Sequence, residues 1–223
     1  MSKILDTQIT ELNNLLIEMG ALIEKNISLA VDALEKHDRL LAEQSILLDD
    51  AIDRKEKDIQ SLCIKLLLHH QPVAKDFRLI TAVLKIITDM ERIGDQASDI
   101  SEITVSMKSK NKYVPEHILQ MAEETKKMVS ASIDAFTKND LQLAYSVIKQ
   151  DDVVDDLFMK SKCDLLKLIR TDISCDEPAM DLLMIAKYFE RIGDHAVNIA
   201  KWVVFAVTGK RGRKKDCDLY CGR

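Results

Sequence analysis

Apolar residues recur every three or four positions through most of this chain. Leu12, Leu15, Leu16, Met19, Leu22 and Ile23 keep that spacing, as do Val83, Ile86, Ile87, Met90 and Ile93. It is the period of one buried face of an α-helix. Breaks in the pattern are few. Pro72 follows LLLHHQ, Pro115 follows KSKNKYV and Pro178 follows TDISCDE. Asn139 and Asp140 supply a break and an N-cap between two further periodic runs. The pattern predicts six helices, over 3–36, 40–69, 74–109, 116–138, 140–170 and 179–208.

Composition agrees. Only 6 Gly and 3 Pro punctuate 223 residues, which favours long helices over many short strands. The chain is 47% apolar but only 4% aromatic, so its core is aliphatic. A formal charge of −5 and few stacking rings argue against a nucleic-acid binder. The longest uncharged apolar run, Trp202–Thr208, is far short of a membrane span. Five cysteines at irregular spacing, Cys217 and Cys221 among them, do not form a disulfide framework or a zinc knuckle. With a polar N-terminus lacking a signal-peptide core, the expected home is the cytoplasm. The segment GKRGRKKDCDLYCGR is basic, and residues 210–223 are expected to be mostly disordered.

The sequence repeats. ERIGD occurs at 91–95 and again at 190–194, 99 positions on. Asp49-Asp50-Ala51-Ile52-Asp53 aligns with Asp151-Asp152-Val153-Val154-Asp155 at an offset of 102. Duplication of a three-helix unit accounts for both, giving an all-α fold of two tandem three-helix bundles, 1–110 and 111–209.

Residues four apart share one helix face. Four carboxylate pairs result: Asp49/Asp53, Glu91/Asp95, Asp151/Asp155 and Glu190/Asp194. Asp53 and Glu91 each lie 19 residues from Pro72, so the first two pairs fall at similar heights on antiparallel helices. In the second half Asp155 and Glu190 lie 23 and 12 residues from Pro178, a poorer match that a longer loop would explain. Each half could thus gather four carboxylates, a ligand set suited to Mg²⁺, Mn²⁺ or iron. Asp99 and Asn198 lie one turn further along and could add a ligand each. Gly94 and Gly193 cost about 1 kcal/mol each against alanine in a helix. The gain expected in return is close approach of a neighbouring helix beside the acidic pair. The plainer reading, that acidic pairs are solvated helix faces, remains open here.

These motifs resemble the PhoU family. Two ERIGD copies in third helices, an Asp-x-x-x-Asp in each second helix, and QPVAKDFRLI at 71–80 carry the resemblance, which covers about residues 10–208. It implies a PhoU-like fold and a cytoplasmic, non-enzymatic negative regulator of phosphate uptake and phosphate-regulon signalling. The implied partners are the phosphate ABC transporter, a sensor histidine kinase and a second copy in a homodimer, with membrane association only through partners and no nucleic acid. The family's acidic motif falls on Asp49, Asp53, Glu91, Asp95, Asp151, Asp155, Glu190 and Asp194, where some members hold multinuclear clusters of iron, zinc, nickel, manganese or magnesium. Asn198 keeps a family asparagine and Asp99 departs from it, making the first half more acidic. Arg78, Arg92 and Arg191 match family arginines, expected first as helix-to-helix ion pairs and second as partner contacts.

Two alternatives belong to other classes. A di-metal carboxylate oxidase would use Glu-x-x-His, but Ile192 stands three residues before His195. A metal-free scaffold would meet a basic partner through the same acidic faces.

Overall fold

The structure is a computed structural model and describes residues 3–70, 72–107, 113–172 and 175–217. Its helices are α1 (Lys3–Lys36), α2 (Arg39–His70), α3 (Ala74–Ser106), α4 (Glu116–Lys138), α5 (Leu141–Thr171) and α6 (Asp176–Thr208). No strand occurs among the described residues. The predicted boundaries hold to within three residues. The largest differences, three residues each, are at the end of α3 and at the start of α6, which begins two residues before Pro178 instead of after it. A proline in the first helical turn removes an N–H that has no intrahelical acceptor, so it does not delay the start.

The duplication is visible at the tightest connections. His37 and Asn139 both adopt left-handed backbone, with φ of 52°. Each is followed by an aspartate that caps the next helix. Asp38 Oδ1 accepts from the Leu40 and Leu41 amides at 2.9 and 3.3 Å, and Asp140 Oδ1 from Leu143 at 3.0 Å. The amides of Asp38 and Asp140 in turn close on the carbonyls of Ala33 and Ala135 at 3.0 and 2.9 Å. Identical two-residue turns therefore make α1/α2 and α4/α5 antiparallel hairpins.

Helices α1, α2 and α3 form one bundle and α4, α5 and α6 the other. The bundles join side by side, α3 along α6 and α1 against α4, leaving α2 and α5 on the outside. One continuous core runs through both, including Leu16, Met19, Ile23, Ile86, Ile133 and Phe189. Polar pairs on the α3–α6 seam follow the pseudo-symmetry. Asp89 Oδ1 meets His195 Nδ1 at 2.9 Å and accepts from Asn198 Nδ2 at 3.4 Å. At the equivalent place Asp99 accepts from the Tyr188 hydroxyl and lies near Arg191. Asp89 corresponds to Tyr188, and Asp99 to Asn198, at the same offset of 99.

Residues 209–217 are not the disordered start of a tail. Gly209 ends α6 with a φ of 76° and its amide bonds to the Phe205 carbonyl at 2.8 Å. The Arg211 guanidinium then sits 4.5 Å from the Trp202 ring centroid, and Gly212 and Cys217 are buried. A Cβ on Gly212 would lie 3.1 Å from Val204 and 3.3 Å from Ile148, so α5 and α6 hold this segment closely. A 3-10 turn, Lys214–Asp216, follows. The rest of the basic segment, 218–223 with Cys221, lies outside the described residues.

The two motif glycines differ. A Cβ at Gly94 would stand 3.0 Å from Ile52 Cδ1 and 3.2 Å from its Cγ2, and Ile52 is fully buried. At Gly193 nothing comes closer than Val154 at 3.6 Å, an ordinary contact. Gly94→Ala is expected to destabilise the protein. Overpacking costs about 1–3 kcal/mol, more than the ~1 kcal/mol that better helix propensity returns. Gly193→Ala is expected to be neutral or to stabilise by up to about 1 kcal/mol. Urea titration of both variants checks the contrast.

Candidate metal centre

The first acidic site forms where α2 crosses α3 at Gly94. Helix α2 carries Asp49 and Asp53 on the face turned to α3, one turn apart and either side of the buried Ile52. Because position 94 has no side chain, Asp49 Oδ1 reaches to 3.4 Å from where a Cβ would be. Asp95 extends from α3 into the same space. Asp49, Asp53 and Asp95 each offer a carboxylate oxygen, all within 4.8 Å of one another. Glu91, one turn before Asp95, is half-buried beside them, and Asp95 and Asp53 both act on its charge.

Electrostatics mark the cluster as short of positive charge. Burial, then Asp95 and Asp53, push the Asp49 carboxyl up to about 6, opposed by a hydrogen bond from Ser98. Burial and Asp95 raise Glu91, opposed by Arg92. Arg92 is bound within its own helix, to Asp95 at 2.8 Å and Glu91 at 3.4 Å, and is itself exposed. Asp49 Oδ1 is buried without a hydrogen-bond partner. Three converging hard oxygens, one of them unsatisfied, suit a cation that prefers oxygen ligands.

A polar network beneath the site was not read from the sequence. Asn26 of α1 donates to the Gly94 carbonyl at 3.3 Å and to Ser98 Oγ at 3.4 Å. Ser45 donates to Asn26 Oδ1 at 2.6 Å, and Ser101 to Ser45 at 2.8 Å. All four of Asn26, Ser45, Ser98 and Ser101 are buried. They tie α1, α2 and α3 together one turn from the carboxylates, and Ser98 reaches Asp49 directly. The repeat-equivalent positions are Met128, Val147, Val197 and Ala200, all buried and apolar. Comparing the halves position by position is the signal that finds the network.

The second acidic site is looser and carries its own cations. Burial, then Asp155 and Asp194, raise Asp151, while Lys214 and Lys201 oppose the rise. Asp194 lies on the open face of α6, where loss of water on its inner side and Glu190 raise it, against Lys187. Lys187 Nζ stands 2.6 Å from Glu190 Oε2, an ion pair without hydrogen-bond geometry. Lys214, from the segment after α6, pairs with Asp152. Asp151, Asp155, Glu190 and Asp194 thus share one region but not the close trio of the first half.

Asp99 and Asn198 face the α3–α6 seam, engaged with Tyr188/Arg191 and Asp89 respectively. Burial and then Glu102 raise the Asp99 carboxyl, and the Tyr188 hydrogen bond lowers it. Arg191 is exposed on the same seam. Arg78 forms none of the expected helix-to-helix ion pairs among the described residues; its side chain packs on Gly209 instead.

The fold and site define a duplicated six-helix bundle that carries carboxylate clusters on paired helices. Comparison with known proteins gives its family. Residues 16–104 and 118–203 each match the PhoU domain, so the chain belongs to the PhoU family. It is 36% identical over 211 residues to the phosphate-specific transport system accessory protein PhoU homolog of Clostridium acetobutylicum, covering 94% of this chain and 96% of that one. It is 33% identical to the homolog of the same description from Pseudomonas aeruginosa, over 94% and 87% of the two chains. The crystal structure of PhoU from Pseudomonas aeruginosa superposes with a TM-score of 0.87 at 32% identity, covering 92% of this chain and 99% of that one. These relatives are described as accessory proteins, not as enzymes. No helix among the described residues is long and apolar enough to cross a membrane.

The raised Asp49 carboxyl has a consequence for stability. Its folded value, about 6, exceeds the ordinary 3.8, so folding favours its protonated form. That contribution is complete below the ordinary value and is lost as pH rises through about 6. Metal-free protein is therefore expected to melt higher at pH 5 than at pH 7.5. Asp49→Asn removes part of that difference and raises the melting temperature at pH 7.5, by about 1 kcal/mol or a few degrees once solvent screening is allowed for. Calorimetry across that range in the presence of a chelator checks it.

Proposed function

We propose that this protein is the PhoU-type accessory and negative regulator of a phosphate-specific transport system. It works without catalysis, as a cytoplasmic adaptor between the phosphate ABC importer and its sensor histidine kinase, and acts as a homodimer. Family membership over nearly the whole helical chain supports the transport assignment. The relatives are described as accessory proteins of that system, and a similar solved structure, 25% identical, is described as the phosphate transport system regulatory protein PhoU of Streptococcus pneumoniae. Membrane association is indirect, through the importer.

The observation that carries the binding chemistry is the Asp49/Asp53/Asp95 trio with its unpartnered Asp49 oxygen. In this reading Asp49, Asp53, Asp95 and Glu91 hold a divalent or trivalent ion, among iron, zinc, nickel, manganese and magnesium. The ion supplies charge neutralisation and cross-links α2 to α3. Ser98 and Asn26 orient Asp49 from beneath. Asp151, Asp155, Glu190 and Asp194 form a weaker second site, because Lys187, Lys201 and Lys214 already offset their charge. Arg92 and Arg191 are exposed beside the two sites and are available to partner proteins.

Metal content of gently purified protein, measured by mass spectrometry, tests this reading. Wild type is expected to carry metal and Asp95→Asn to lose most of it. Asp194→Asn is expected to lose less. Metal-free wild type that also fails to take up added Mn²⁺, Fe²⁺ or Zn²⁺ would make the acidic faces a protein-docking surface instead. The same variants, expressed in cells lacking the regulator, report on transport. Loss of repression of phosphate uptake by Asp95→Asn is the expected outcome.

A further inference from the structure

The QPVAKDFRLI segment carries two polar side chains that the regulatory reading does not use. Asp76, in the first turn of α3, is 4% exposed, and its Oδ2 is buried without a hydrogen-bond partner. Arg78 Nε is likewise buried and unpartnered. Neither residue forms an ion pair or hydrogen bond among the described residues. Holding a carboxylate oxygen and a guanidinium nitrogen away from water without a partner carries a cost. A partner from outside the chain removes that cost.

Both line one cleft of about 670 Å³, within the range of small-molecule sites. Four helix ends meet there: the N-terminal ends of α1 and α3 and the C-terminal ends of α4 and α6. Lys75 stands at its exposed rim, and Asn13 and Asn139 add carboxamides. Apart from Thr10, the remaining wall is apolar, from Ile9, Leu79, Phe136, Ala206 and Val207. It lies at the opposite end of α3 from the carboxylate trio, roughly 28 Å from Asp95 along the helix.

We infer that this cleft binds a small aliphatic zwitterion of the α-amino-acid type. Its ammonium group bonds to the Asp76 carboxylate and its carboxylate to the Arg78 guanidinium, with Lys75 at the rim. Its aliphatic side chain lies on Ile9, Leu79, Phe136 and Val207. A simple anion leaves Asp76 unsatisfied and brings like charges together. A simple amine does the same to Arg78. A zwitterion with an apolar body meets every unpaired group and the apolar wall at once. The site is independent of the metal centre, so it stands or falls separately from the regulatory reading.

Isothermal titration of the full chain with L-leucine, L-valine and L-methionine tests the assignment, run with and without chelator. At least one is expected to bind, equally well in both conditions. 4-Methylpentanoate and isoamylamine, which keep leucine's body but one charge each, are expected to bind at least tenfold more weakly. Asp76→Asn and Arg78→Lys are each expected to weaken binding at least tenfold while the circular dichroism spectrum stays helical. If either variant fails to fold, the comparison of leucine with its two single-charge analogues on wild type decides alone. No heat of binding for any of the three amino acids up to about 20 mM, a limit set by millimolar affinity, overturns the inference. So does equal binding of 4-methylpentanoate or isoamylamine. Inorganic phosphate that binds with the loss in Arg78→Lys, where the amino acids do not, also overturns it and makes the cleft an anion site.

Discussion

The approach of α2 to α3 at Gly94 is the contact on which the candidate site depends. A methyl group at that position would lie 3.0 Å from Ile52, a fully buried side chain. With only hydrogen there, the helices close to the distance that puts Asp49 and Asp53 against Asp95. Burying Asp49 and setting Asp95 and Asp53 beside it opposes folding, which is why its carboxyl is raised. Aliphatic packing along α1, α2 and α3 overcomes it, and the Asn26–Ser98 network holds the backbone beneath in one register. The site is therefore preorganised by the core and not by its ligands.

Duplication produced two such crossings, and they have diverged in a consistent direction. The first half keeps a glycine that sterics require, a polar network under it, and a carboxylate trio with little compensating charge. The second half has an ordinary contact at Gly193, an apolar floor, and lysines from α6 and from the segment after it. Both features push the same way. An apolar floor gives its carboxylates no hydrogen bonds, and the lysines take up the charge that a cation would otherwise meet. The seam between the halves stayed closer to symmetric: Asp89 with Asn198 on one side, Tyr188 with Asp99 on the other. That interface recruits the two residues whose position one turn beyond the motif suggested ligands.

Much of the architecture was legible from the pattern alone. Six helices, their boundaries, and their grouping in threes followed from a 3.6-residue apolar period and a repeat of about a hundred residues. The α6 start was missed because proline in a first turn does not interrupt a helix. The ordered segment at 209–217 was missed because five basic residues among glycines carry no periodicity. Its placement rests on Gly212 and Cys217 fitting a gap on α5 and α6, and on Arg211 stacking over Trp202.

Sequence by itself determined the elements, the duplication and the identity of the acidic pairs, because helical periodicity and spacing are local properties. The close helix approach expected at both motif glycines occurs at Gly94 and not at Gly193. Only the tertiary structure decided which carboxylates meet, since that depends on how far two helices can close. It turned Asp99 and Asn198 toward the seam, as each helix has two packing neighbours and a residue can face only one. It left Asp76 Oδ2 and Arg78 Nε buried and, among the described residues, unpaired at the junction of four helix ends, a meeting of segments more than a hundred residues apart that no local pattern encodes.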